Sequence, residues 1–224
     1  CFASISATAT SLTIESQGIL PNSGPTAVIG INATASAGET LNSITIRIND
    51  ISGNVYPSDF SSVAIYRDGG AITGAFDPGD SLVGENSSVV IDGTTIILVT
   101  NGNYGKGTPD ADLERENIPA NDLDANAGYD FYIVIFTSEM MNGDIGYKDS
   151  QDLRDKFSVT ITSFVGRSSD NSNYVYPTFT QVTTDTITCE ARVVDMLPIR
   201  SDTFTAAQNV YPSFQATGFS PNYF

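Results

Sequence analysis

The chain has 224 residues, 40% hydrophobic and 16% charged, with 26 Asp+Glu against 10 Lys+Arg and a net charge of −16. That hydrophobic content makes a globular chain, long enough to bury a core without disulfide staples, while the acidic balance excludes a nucleic-acid binder or a ligand of anionic membranes, which need a basic footprint. Histidine is absent, which removes Ser-His-Asp and Cys-His catalysis and the His-containing zinc sites, and two cysteines are too few for a Cys-only zinc site.

Nothing in the sequence is long and apolar enough to span a bilayer as a helix. With few charges, much of the surface must be Ser, Thr, Asn and Gly, which suits exposed strands and turns. The chain starts at Cys1 with no initiator Met, as expected of a processed, secreted or cell-surface protein. Cys1 also fits a lipidated N-terminus. Asn32 and Asn86 lie in glycosylation sequons.

Residues 1–14, "CFASISATATSLTI", carry no charge and read as an extended, β-prone arm ahead of a single domain over 15–224. Such an arm is an aggregation hazard if left in water, so it must pair with its own sheet or with a neighbour's. "LNSITIRIND" (41–50) alternates cleanly from Ile44 and is a half-buried strand. "SSVAIYRD" (61–68) is the next. "SSVVIDGTTIILVTNGN" (87–103) reads as a hairpin turning at Asp92-Gly93. Short helices are expected after Thr108-Pro109 and after Asp149. "GYDFYIVIFTS" (128–138) is apolar almost throughout, a central strand buried on both faces. "KFSVTITSFV" and "DTITCEARVVD" alternate again, the second placing Ile187, Cys189, Ala191 and Val193 on one face. Strand after strand with Gly, Pro and Asn punctuation gives an all-β fold, a β-sandwich of jelly-roll or immunoglobulin-like type.

A Val-Tyr-Pro-Ser/Thr core recurs in "NVYPSDF" (54–60), "YVYPTFT" (174–180) and "NVYPSFQ" (209–215). The bland reading is a strand-start corner with an aromatic lid; the functional one is a set of aromatic contacts between subunits.

"YRDGGAITGAFDPGDSLVG" (66–84) sets Asp68, Asp77 and Asp80 among five glycines. Phe76 is expected to insert into the core and fix the turn. Three carboxylates with loop carbonyls and water make a calcium shell; the alternative is an ordinary solvated turn. The acids from Asp110 to Asp124, with Asp130 beyond, read as a solvated helix and loop, or as a second metal site or a cation-bridged subunit contact. No pair of carboxylates stands out as a glycosidase pair, and no enzyme is expected.

Cys1 heads the arm and Cys189 lies on an apolar strand face. In an oxidising setting two such thiols pair, and a Cys1–Cys189 bond, within or between subunits, is worth up to about 5 kcal/mol in the chain-entropy model. Lipidated Cys1 and an inert buried Cys189 are the alternatives.

"SITIRIND", "SDFSSVAIYRDGG", "GAFDPGDSLVG", "IPANDLDANAGYDFYIVIFTS" and "DKFSVTI", in that order over residues 41–165, resemble secreted β-sandwich proteins of archaea and bacteria. More loosely, they are similar to the camelysin-like biofilm-matrix fibre subunits and related filament and tubule proteins. The resemblance implies a jelly-roll-like sandwich that polymerises by donating a terminal strand, sometimes with calcium at the junctions. The arm and the Asp68/Asp77/Asp80 cluster are the features that match; Cys1 and the long C-terminal section depart from the pattern. The expected function is therefore a structural subunit of an extracellular or cell-surface filament, its partner another copy of itself. A calcium-dependent carbohydrate-binding or adhesive module, with cations or glycans as partners, is the alternative.

Overall fold

A computed structural model describes residues 5–12, 18–35, 39–69, 72, 74–99, 116–117, 129–143, 153–168 and 173–190. The chain divides into two units, Cys1–Arg192 and Val193–Phe224. The fold below belongs to the first; the second lies outside the described residues.

Among the described residues, twelve strands make two antiparallel sheets. The first sheet has the order β1 (Ile5–Ser11), β2 (Thr26–Ala35), β8 (Phe131–Thr137), β4 (Phe60–Arg67), β5 (Ser81–Asn86). In the second, β9 (Lys156–Arg167) and β3 (Thr40–Asp50) are central, with β6 (Ile96–Val99) and β7 (Glu116–Asn117) along the free side of β3. The other side of β9 takes β10 (Tyr174–Val175), β11 (Val182–Thr183) and β12 (Ile187–Thr188), a single edge strand broken into three. The order 1-2-8-4 against 3-9-(10–12) is the Greek-key crossing of immunoglobulin-like sandwiches. Core residues come from both sheets and bury Ile29, Ile31, Ile65, Ile133 and Ile135 against Ile44, Ile46, Ile48, Phe157 and Ile161.

Alternation decides which side chains reach that core, and bulges correct it where it fails. Leu41 and Ile44 are an odd number of residues apart, yet both are fully buried. A register shift between Leu41 and Ser43 absorbs the extra residue. The Asp92-Gly93 turn forms, with positive φ at both residues (48° and 78°). It does not close a hairpin, because β6 pairs with β3 and residues 87–95 carry the chain from the first sheet to the second. Val89 is buried on the way, so its segment is consumed by the crossing. The two expected helices lie mostly outside the described residues, at 108–115 and 149–152; of their described ends, Glu116 is in β7 and Leu153–Asp155 are irregular. The helical turn among the described residues is a 3-10 turn at Pro57–Asp59.

The sandwich has two distinct ends. At the lower end β3 and β8 finish and β4 and β9 begin, and Phe60 meets Phe157 edge-on at 5.1 Å and 87°. At the upper end β3 and β8 begin and β4 and β9 finish. Phe157 is fully buried between the sheets. Phe157→Ala is expected to lower stability by about 3–5 kcal/mol, read from the urea midpoint at unchanged slope; a loss well under 1 kcal/mol would show that the sheets do not pack through this ring.

Candidate functional site

The turn between β4 and β5 lies at the upper end, on the outer face of the first sheet. Strand β8 puts Phe131, Ile133 and Ile135 into the core, and Tyr132 and Val134 on the opposite face are also fully buried. Tyr132 is covered by aromatic rings: Phe76 from the turn at 5.5 Å, itself edge-on to Tyr66 at 5.4 Å, and Tyr129 at 6.1 Å. Phe76 does not enter the core as expected; it lies half-buried against the outside of the first sheet, because the ring it covers, Tyr132, faces away from the second sheet.

Asp68, Asp77 and Asp80 do come together, and they bind the turn's own backbone. Asp68 accepts the Gly74 N–H at 3.0 Å. Asp77 accepts those of Ile72 at 2.7 Å and Gly79 at 2.6 Å. Asp80 accepts those of Gly69 at 3.2 Å and Asp77 at 3.0 Å. At Gly74 the backbone takes a positive φ of 77°, a conformation that favours glycine. Asp77 and Asp80 are buried. Burial raises the Asp68 carboxyl above its usual range; the Gly74 amide opposes this and the charges of Asp80 and Asp77 add to it. Asp68 Oδ1 and the Tyr132 hydroxyl are buried with no hydrogen-bond partner. Burial, then the charges of Asp68, Asp80 and Asp130, raise the Tyr132 phenol well above its usual value. Among the described residues no group of three or more His, Cys, Asp or Glu side chains is arranged to hold a metal. Of the second acidic stretch, residues 110–115 and 118–128 lie outside the described residues; Asp130 accepts the Ala33 N–H at 2.7 Å.

The lower end holds two carboxylates that the sequence did not single out. Asp59 accepts the Tyr56 N–H at 2.6 Å, closing the turn before β4. Asp155 accepts the Asn142 N–H at 2.6 Å and donates its own N–H to the Asn142 carbonyl at 2.8 Å, tying the turn after β8 to the start of β9. Both are buried. Burial raises each carboxyl, opposed by its backbone partner and reinforced by Asp50 and, for Asp155, by Asp59. The one sequence signal is Asp59 following Tyr-Pro-Ser, the spacing of a capped turn.

Cys189 is a free thiol with no exposure, bridged in parallel to Ile19. Burial, with the charges of Asp155, Glu190 and Asp59, pushes it up to about 12, which keeps it protonated and a poor nucleophile. Cys1, its expected partner, lies outside the described residues. Glu190 is held by Arg154 at 2.6 Å.

In the two described Val-Tyr-Pro corners the tyrosine is not a lid. In the first, Val55 and Phe60 are buried and Tyr56 is 60% exposed. In the second, Phe179 stacks on Phe164 at 6.4 Å and Tyr176 is 72% exposed. The apolar neighbours take the buried places and turn each tyrosine outward. The third copy lies outside the described residues. No protein-family model matches the chain, and no curated protein matches it.

A carboxyl whose pKa is higher folded than unfolded favours folding in acid, and that advantage is lost as the pH rises through the raised value. Asp59, Asp68 and Asp155 all shift this way. The thermal midpoint is therefore expected to be higher near pH 4, the usual carboxyl range, than at neutrality. Asp59→Asn with Asp155→Asn should raise the neutral midpoint and flatten the profile. A midpoint that falls steadily on acidification, equally in both proteins, would contradict this assignment.

Proposed function

We propose that this chain is a structural, non-catalytic subunit of an extracellular or cell-surface filament that polymerises by exchanging its N-terminal strand. The character of β1 carries the reading. It sits at the edge of the first sheet and pairs in unbroken register with β2 of the same chain, Ile5 opposite Ala35 through Ser11 opposite Ile29. It has no charge, no proline and no bulge, the usual guards of an edge strand.

Little holds it in place. Its core contributions are Ile5 and Ala7, with Ala9 half-buried. Burying an isoleucine is worth about 1.5–3 kcal/mol and an alanine less, so β1 costs less to detach than any strand rich in Ile, Val and Phe. Ile5 lies in a notch over Gly166 that any side chain at that position would fill. The same ladder and notch would accept β1 of a second copy, and a head-to-tail exchange of this kind does not close on itself.

Deleting residues 1–14 is expected to leave a folded domain that forms no filaments by electron microscopy, and Gly166→Val, which fills the notch, should shorten them sharply. Filaments of normal length from the deleted protein would overturn the proposal.

The proposal includes a hard cation such as calcium at the Asp68/Asp77/Asp80 turn, supported by the unpartnered Asp68 Oδ1 and the mutual repulsion of three acids. Calcium at 100 times its dissociation constant would add about 2.7 kcal/mol. The expected result is a thermal midpoint that rises with calcium and falls with chelator, an effect abolished by Asp68→Asn. No heat of binding and an unmoved midpoint would leave the turn a self-capped cover.

The adhesive reading has its own support on the outer face of the second sheet. There Asn49 donates to Ser158 and Thr160 at 3.2 Å, and Thr160 meets Thr183 at 2.8 Å. Arg47, on the same face, keeps a buried Nε without a partner. Hydroxyls, amide and guanidinium side by side on a sheet face suit a glycan. A chain that binds glycan as a stable monomer would favour this reading over the filament.

A further inference from the structure

We infer that the outer face of the first sheet, beneath the β4–β5 turn, holds one hard cation of calcium size between Asp68 Oδ1, the Tyr132 hydroxyl and Asn32 Oδ1. The inference rests on the reading of a cation at this turn. It adds two ligands from other strands, and it assigns Asp77 and Asp80 to fastening the turn instead of to the ion.

These three oxygens are buried and have no hydrogen-bond partner. They come from three neighbouring strands and lie on one face. On β2, Asn32 falls between Ile31 and Ala33, and on β8, Tyr132 falls between Phe131 and Ile133; those four neighbours are in the core, so Asn32 and Tyr132 face outward. On β4, Val63 and Ile65 are in the core, which puts Tyr66 outward and Asp68, two residues on, outward with it. Arg67 and Ile31 are both opposite Phe131, so one step further Asp68 and Asn32 flank Asp130. The hydrogen bonds agree: the Asp68 N–H donates to the Asp130 carbonyl at 2.9 Å, and the Asp130 N–H donates to the Ile31 carbonyl at 2.9 Å. On its other side Asn32 is opposite Thr8, which is exposed, so the buried side of Asn32 is the one towards β8.

The spacing suits a single ion. Neighbouring strands lie about 4.8 Å apart, so Asp68 and Asn32, two strands apart, leave the backbone roughly 10 Å from each other. Short side chains leaning inward from that span leave the roughly 5 Å across which calcium holds opposed oxygens, at about 2.3–2.6 Å each. Two aromatic rings roof the space: Phe76, 5.5 Å from Tyr132, and Tyr129, 6.1 Å from Tyr132 and directly over Gly30. A roof that keeps water out strengthens the attraction between an ion and its ligands.

Charge decides the class of ligand. Both oxygens of Asp77 and both of Asp80 accept backbone N–H groups, whereas Asp68 Oδ1 accepts none. Next to burial, the charges of Asp68, Asp80 and Asp130 raise the Tyr132 phenol, so three carboxylates act on one buried hydroxyl. A water molecule would satisfy that hydroxyl and leave the charge uncancelled; a cation answers both. A carboxylate and an Asn carbonyl are ordinary calcium ligands, and the phenol oxygen adds a lone pair.

The test uses the full chain, stripped of metal with chelator, and calcium alone as the probe, read by calorimetry and by the thermal midpoint. Tyr132→Phe keeps the ring and removes the hydroxyl. It should raise the calcium-free midpoint, because a buried group without a partner is gone, and weaken calcium binding about tenfold. Asn32→Leu, close in size, should weaken binding to a similar degree. Asn32→Asp should do the reverse of Tyr132→Phe, lowering the calcium-free midpoint by adding a fourth charge and tightening calcium about tenfold. If Tyr132→Phe and Asn32→Leu both keep the full calcium response of the native chain, the ion sits on the turn's carboxylates alone; that overturns the inference and leaves the reading of a cation at the turn intact. A native chain whose midpoint calcium does not move, with no heat of binding, overturns both. An Asn32→Asp chain with native calcium affinity counts against Asn32 as a ligand and overturns the three-strand site.

Discussion

Strand β8 is apolar on both faces, and much of the molecule follows from keeping water away from both. Its inner face, Phe131, Ile133 and Ile135, needs the second sheet. Its outer face has no sheet to pack against, yet Tyr132 is completely buried. The cover is the turn after β4, which brings Phe76 over Tyr132. A covering turn has its own difficulty, because folding it back buries backbone N–H groups that need acceptors. Asp68, Asp77 and Asp80 supply these acceptors. Gly74 and the acids of this stretch are thus two parts of one device: the glycine turns the backbone and the carboxylates satisfy its N–H groups.

That device has an electrostatic cost. Burial, with the charges of Asp80 and Asp77, disfavours the charged form of Asp68, and one of its oxygens is left without a partner. The same compromise recurs at the lower end, where Asp59 and Asp155 each fasten a turn by accepting an amide while buried. At Asp77 and Asp80 both carboxylate oxygens accept backbone N–H groups, which a neutral Asn, with a single acceptor oxygen, could not do. Folding stability is thereby tied to proton availability, and a chain with no histidine carries its pH response on carboxylates.

The edges of the two sheets are treated unequally. The edge on β9 is broken into β10, β11 and β12, each of two residues. So short a run offers little to an incoming strand. Strand β1 is continuous, uncharged and held mainly through one isoleucine over Gly166. Of these two edges, the one on β9 is interrupted and that of β1 is regular.

The residue pattern alone was enough for the class of fold. Period-two alternation, the two-faced apolar run at 128–138 and the uncharged arm are local properties, and local sterics and burial turn each into a strand. It also brought Asp68, Asp77 and Asp80 together, since they share one glycine-rich turn. Partnership was not legible, because hydrogen bonds between strands are made by the backbone and carry no residue label. The residues before Asp92-Gly93 therefore read as half of a hairpin when they are a crossing, and Asp59 and Asp155, 96 positions apart in sequence, gave no sign of sharing one buried end. The direction of the Val-Tyr-Pro tyrosines was hidden for a similar reason. Local sequence fixes an extended backbone before proline, but which of Val, Tyr and Phe goes inward depends on the space left by strands from elsewhere in the chain, and that space exists only once both sheets have packed.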